Sequence, residues 1–250
     1  MSGHSKWSTI KRQKGAVDIK RGATFTKIAN AITIAARLGG SGDPNSNPRL
    51  RVALDSARAA NMPKENVQRA IDRGLGKLPG QMVEEVLFEG FGPSKVAFIV
   101  EAITDNRMRT LAEMRNLFEK GGGVLGSHGS TSYMFSQKGK IKVKSKGGKL
   151  QDEILELIDL GVEDVEDFQE DGVQKYLVYT ESSNLSNVGN NIAQSGFEID
   201  SKEIVYKPTV LVEMVGEEAM NKVLEFVQRL EDHDDVQKVH SNFVISESAD

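Results

Sequence analysis

At Met82 the apolar period of the chain changes, and that change decides its architecture. Before it, apolar residues recur at three- and four-residue spacing, the period of helices packed by one face. After it, 83–91 and 96–102 read as strands joined by a short Gly92-Pro93-Ser94 turn. The spacing of Met108, Leu111, Met114, Leu117 and Phe118 predicts a helix over 107–120, stopped by Gly121-Gly122-Gly123, and 130–136 reads as strand again. From 139 to 206 the order is strand, helix, strand, strand, helix, strand, with the helices at 150–160 and 184–195. That is the ferredoxin-like order. Strand 209–215, helix 217–230 and strand 236–245 then supply the elements that 82–136 lacks to make the same order. The expected fold is α+β: an N-terminal three-helix bundle followed by two mixed α/β domains with ferredoxin-like element order, one inserted in the other. The expected domains are 1–80, 82–136 plus 207–245, and the insertion 139–206. Three consecutive domains would leave the last segment with too small a core.

In the first domain a helix is predicted from about 18 to 38, with Phe25, Ile28, Ala29, Ile32 and Ala36 on one face. Gly39-Gly40 ends it. Asn47 is positioned to cap the next helix, with Pro48 at its first position and Leu50, Ala53, Leu54 and Ala57 inward. Pro63 opens the third, with Val67, Ala70 and Ile71 inward and Gly74 at its end. Arg51 and Arg58, and likewise Arg69 and Arg73, are spaced to project outward.

Charge is distributed very unevenly. The net charge is -4, yet residues 1–80 hold 15 Lys and Arg against 5 Asp and Glu, a balance of +10, and the rest of the chain holds 17 against 31. The first thirty residues carry seven cations against Asp18, with the chain's one tryptophan, Trp7, among them. Cations neutralise phosphates and an indole stacks on a base, so this arm reads as a nucleic-acid contact. His4, Lys6, Trp7, Lys11, Arg12, Lys14, Lys20, Arg21 and Lys27 are its candidate residues, and Arg37, Arg49, Arg51 and Arg58 extend the footprint. The alternative is a solvated arm whose Trp7 folds back on the helices. Helices two and three, joined by Asn61-Met62-Pro63, invite a helix-turn-helix reading. Asn66 and Gln68 suit base edges, but Glu65 beside them would face phosphates, so recognition of backbone and shape fits better.

Gly3-His4-Ser5-Lys6-Trp7 closely resembles the N-terminal signature of the YebC family. So do Lys20-Arg21-Gly22 with Phe25-Thr26-Lys27, Asn47-Pro48-Arg49-Leu50-Arg51 and Ala60-Asn61-Met62-Pro63-Lys64. The resemblance continues through Phe88-Glu89-Gly90-Phe91-Gly92-Pro93, Thr104-Asp105-Asn106-Arg107, and Asp234-Asp235-Val236-Gln237 with Ser241-Asn242-Phe243, so it covers nearly the whole chain. It implies a three-domain architecture and a role as a transcriptional regulator. Related proteins, including the mitochondrial translational activator of cytochrome c oxidase, imply instead translation and ribosomes stalled on proline-rich stretches. Because the signature begins at Gly3, the basic N-terminus reads as part of the protein rather than as a transit peptide, and the expected location is the cytoplasm.

Other features carry less. Lys138, Lys140, Lys142, Lys144, Lys146 and Lys149 form a second basic run, in which Lys140, Lys142 and Lys144 alternate with Ile141 and Val143 and so share a strand face; a solvated or edge strand is favoured over a second nucleic-acid contact. The Gly-rich stretch 121–129 leaves a helix and enters a strand, the reverse of a phosphate loop. The acidic runs 163–171 and 231–235 lack calcium-loop spacing, and no metal or other cofactor is expected. The chain has no cysteine and none of the familiar nucleophile or zinc-protease motifs, so it is not expected to be an enzyme. No stretch is apolar enough to span a membrane. The expected function is a nucleic-acid-binding regulator of gene expression. Its partner is either DNA or folded RNA, including ribosomal RNA or tRNA on the ribosome. A protein–protein adaptor is the remaining reading, and sequence leaves the oligomeric state open.

Overall fold

A computed structural model describes residues 20–78 and 83–245. Three helices come first: α1 (Lys20–Gly39), α2 (Pro48–Ala59) and α3 (Lys64–Gly74). Ile32, Ala35 and Ala36 of α1 meet Leu50, Ala53 and Ala57 of α2 and Ala70 and Ile71 of α3 in one buried cluster. The small alanines allow this close approach. Asn47 caps α2 as its position predicts: its Oδ1 accepts the Leu50 amide at 3.0 Å, and its Nδ2 donates to the Ala35 carbonyl at 2.9 Å. Gly39 is required for this arrangement, since a Cβ there would lie 2.1 Å from Asn47 Nδ2.

The strand region contains β1 (Glu84–Phe91), β2 (Ala97–Thr104), α4 (Arg107–Lys120), β3 (Val124–Leu125), β4 (Phe135–Lys144) and α5 (Leu150–Asp159). It continues through β5 (Asp164–Glu170), β6 (Val173–Glu181), α6 (Leu185–Gln194), β7 (Glu198–Pro208), β8 (Val212–Met214), α7 (Glu217–Glu231), β9 (Val236–Ser241) and β10 (Phe243–Ile245). The chain forms two compact units. One holds the described residues up to Thr131 together with Glu217–Ser241; the other holds Ser132–Gly216 together with 242–245.

The first unit joins the helices to an antiparallel sheet of order β3-β1-β2-β9. Its core is a triad of mutually edge-on rings, Phe98, Phe118 and Phe226, from β2, α4 and α7, with centroids 5.1–6.4 Å apart. Ile34 of α1 packs with Val83 and Ile103. Ile32 and Ile34 are two residues apart and so point to nearly opposite sides of the helix. α1 is therefore apolar on two faces, one for the bundle and one for the sheet.

The second unit is an antiparallel sheet of order β5-β6-β4-β7. With α5 and α6 this gives a β-α-β-β-α-β arrangement, the ferredoxin-like one. Ile141, Val143, Tyr176 and Val178 meet Leu157, Val188 and Ile192 of the helices. The Tyr176 hydroxyl donates to Glu153 Oε2 at 2.6 Å. Burial pushes the Tyr176 phenol up to about 12. Burial also pushes the Glu153 carboxyl up. Hydrogen bonds from Tyr176, Ser145 and the Gly148 and Lys146 amides outweigh that and hold it below its ordinary value.

The structure departs from the sequence reading at several elements. Strand 209–215, expected to complete the first sheet, is β8 and lies in the second unit, paired with β10. Residues 130–136 are not a strand of the first sheet. Ser132–Met134 is a 3-10 turn and β4 begins at Phe135 in the second sheet. The cause is Thr131, whose amide is bound by buried Glu89 at 2.9 Å and whose hydroxyl donates to the Phe98 carbonyl at 3.0 Å, so the chain turns after it. The predicted strand 236–245 breaks at buried Asn242, and β10 pairs in parallel with β8. Asn242 Nδ2 donates to the Val210 carbonyl at 2.9 Å, and its own carbonyl accepts the Val212 amide at 2.8 Å.

Candidate nucleic-acid interface

The predicted site residues fall into three groups. His4, Lys6, Trp7, Lys11, Arg12 and Lys14 lie outside the described residues. Lys20 and Arg21 begin α1. The other five make contacts within the protein. The Lys27 ammonium donates to the Glu231 carbonyl and the Arg37 guanidinium to the Val83 carbonyl. Lys27, Ile34 and Arg37 follow helical spacing, so they share the α1 face that meets the sheet. Both cations fasten the helical bundle to the rest of its unit.

On α2, Arg49 pairs with Glu85 of β1. Arg51 Nε donates to the Pro44 carbonyl at 3.1 Å and its NH2 to the Asn45 carbonyl at 3.3 Å, closing the loop before the helix. Arg58 pairs with Asp55 at 2.7 Å, both side chains largely exposed. Exposed pairs of this kind contribute little and exchange readily for phosphate.

On α3 two cations stand apart. Arg69 and Arg73 are exposed and have no ion pair among the described residues. Nearby Asp72 is occupied by Gln68 Nε2 at 3.2 Å and Lys77 at 3.4 Å. The helix does not present a reading edge: Gln68 is engaged with Asp72, Asn66 is half-buried, and Glu65 is exposed beside them. Sequence spacing placed Arg69 and Arg73 on the outside; Lys64 at the start of the helix is likewise exposed and without an ion pair among the described residues, but it stands more than a turn away.

Arg73 borders a polar cavity of about 730 Å³. Arg109 also lines it, 3.0 Å from both Asp105 and Asp235, and its hydrogen bond to Asp235 raises its pKa. Thr110 also donates to Asp235, at 2.7 Å. Glu113, His233 and Asp235 offer ligand atoms within 4.8 Å of one another. Their existing bonds suit protein contacts better than a metal ion. His233 Nδ1 accepts the Asp235 amide at 3.1 Å, which leaves Nε2 to donate to Glu113 at 3.0 Å, and Asp235 already faces a guanidinium.

The lysine run of β4 is a correction in part: β4 is a central strand, so its lysines guard no edge. They share the sheet face opposite α5 and α6, and each has an acid. Lys138 meets Glu163 at 2.8 Å, Lys140 meets Glu203 at 2.8 Å, Lys142 meets Glu170 at 2.7 Å, and Lys144 meets Asp200 at 3.5 Å. The aromatic rings on this face are capped as well, with Lys207 Nζ 3.7 Å from the Tyr179 centroid and Lys142 Nζ 5.5 Å from that of Phe168. No open stacking platform remains on these two rings.

The helices and strands together define an α+β protein with a basic helical head. Residues 5–77 match the family model described as the TACO1/YebC N-terminal domain, and 83–243 match the one described as the TACO1/YebC second and third domain. The chain belongs to the TACO1/YebC family. It is 47% identical over 247 residues to a probable transcriptional regulatory protein of Persephonella marina, spanning 99% of this chain and 97% of that protein. A protein of the same description from Geobacter sulfurreducens is 47% identical over 246 residues, spanning 98% and 97%. The crystal structure of a conserved hypothetical protein from Aquifex aeolicus is 41% identical and superposes with a TM-score of 0.80, covering 93% of this chain and 94% of that one. Among the described residues, no helix is long and apolar enough to cross a membrane.

Proposed function

We propose that this protein is a regulator of gene expression that acts by gripping a nucleic-acid backbone with its basic N-terminal arm and helical head. It works in the cytoplasm and is not an enzyme. The observation that carries the reading is the charge split, +10 over residues 1–80 against -14 over the remainder. A polyanion is drawn to the head and repelled by the body, which orients the protein on it. The description of the relatives as probable transcriptional regulatory proteins supports a DNA partner.

A second reading, a translation factor on folded RNA or the ribosome, is favoured by the face of α3. Glu65 beside an occupied Gln68 is a poor set for reading base edges in a major groove. Contact through backbone and shape suits RNA.

The test is the triple variant Lys11→Glu, Arg12→Glu, Lys14→Glu. It is expected to lose binding to DNA and RNA while keeping the circular dichroism spectrum of the wild type. Unchanged affinity sinks the reading. Co-sedimentation with ribosomes at moderate salt, dependent on the arm, assigns the function to translation; promoter binding tighter than to random duplex at the same salt assigns it to transcription.

A further inference from the structure

We infer that Arg69 and Arg73 of α3 form a two-phosphate clamp for an unpaired nucleic-acid strand. This deepens the proposed function and rests on it. The two guanidinium groups are one helical turn apart, ~6 Å along the axis. Both stand on the side of α3 opposite Ile71, which is buried with residues of α1 and α2. Neither has an ion pair or a carbonyl partner among the described residues, and of the described cations after Arg21 in the head only Lys64 shares this, whereas Lys27, Arg37, Arg49, Arg51, Arg58 and Lys77 all hold partners. Guanidinium is the cation best matched to phosphate oxygens, which it binds through two parallel N–H donors.

The acids nearby set the kind of strand. The cavity that Arg73 borders carries Asp105, Glu113, Asp232, Asp234 and Asp235 against one further cation, Arg109, which is already shared between Asp105 and Asp235. A duplex laid on α3 brings a second row of phosphates within a Debye length of these carboxylates, about 8 Å at physiological salt. A single strand touches the two arginines and keeps the rest of its charge in solvent. The structural alternative is that Arg73, in the last turn of α3, only complements the helix dipole.

The experiment is anisotropy with a labelled single-stranded oligonucleotide, as RNA and as DNA, and with the duplex of the same sequence. Each is titrated at several salt concentrations against the full-length wild type, the double variant Arg69→Gln, Arg73→Gln, and a charge-matched control, Arg107→Gln, Arg115→Gln on α4. The expected result is single-strand affinity in the wild type, and at least a tenfold loss in the α3 variant. Its salt slope falls by about 1.4, two phosphates at ~0.7 each. The control keeps both affinity and slope. RNA and DNA strands responding alike fit a phosphate clamp. An unchanged slope in the α3 variant, an equal loss in the control, or tighter binding of the duplex overturns the clamp. A wild type that binds none of the three probes overturns the reading beneath it instead.

Discussion

Glu170 of β5 lies under two ammonium groups, Lys142 and Lys175, each 2.7 Å from its Oε2. Their hydrogen bonds hold its carboxyl at about 2, well below the ordinary 4.5. A carboxyl depressed by folding adds stability above its unfolded value and loses it as pH falls through the folded one. That stability is present at neutral pH and disappears between about pH 4.5 and 2. Its size is on the order of 3 kcal/mol at most, since one unit is worth about 1.4. Glu170→Gln is therefore expected to lower the urea midpoint at pH 7, and the gap from wild type is expected to close near pH 2. A gap that stays constant with pH would assign the loss to packing and not to charge. Lys175, the more buried ammonium, keeps Asp200 at 2.6 Å, while Lys142 loses its carboxylate but stays a quarter exposed to solvent.

At the scale of the element, α1 repays attention because it is buried on two sides. Ile32 fills the bundle and Ile34 fills the contact with Val83 and Ile103. Ile34→Ala deletes buried methyl groups where Lys27 and Arg37 also anchor, and is expected to destabilise the unit by about 3 kcal/mol. Denaturant melts check this, and a loss below ~1 kcal/mol would mean the seam contributes little. Sequence reading found α1 and its bundle face because those signals are local: a repeating apolar face, a Gly-Gly stop, and Asn47-Pro48 opening the next helix. It missed the second face because Ile34 looks like one more apolar residue until its partner, 69 positions on at Ile103, is in place. Likewise β4 read as two pieces, one ending at 136 and one beginning at 139. Gly139 is there for a packing reason: a Cβ would meet Leu185 Cδ1 at 2.9 Å, where α6 lies close on the strand.

At the scale of the whole molecule, the same distinction separates what the charge pattern revealed from what it concealed. The split between a basic head and an acidic remainder was legible because it is a count. Which cations are available was not, because Lys27 and Arg37 differ from any solvated cation only through carbonyls 204 and 46 residues away. This bears on how nucleic-acid affinity responds to salt. The head has 15 Lys and Arg. Five of these, Lys27, Arg37, Arg49, Arg51 and Lys77, hold partners outside their own helix, while Arg58 can exchange its exposed Asp55 for phosphate. If the other ten each met a phosphate of B-DNA, the logarithm of affinity would fall with the logarithm of salt at a slope near -9, at about 0.9 per phosphate. The measured slope is expected to be no steeper than that, and shallower by the same factor on a single strand. A steeper slope would require the anchoring cations to leave their carbonyls and carboxylates. Binding would then loosen the seam held by Lys27 and Arg37, and amide exchange around Val83 and Glu231 would accelerate in the complex. A slope within the limit, with exchange at those two residues unchanged, leaves the anchored cations as part of the fold and assigns binding to the arm and α3.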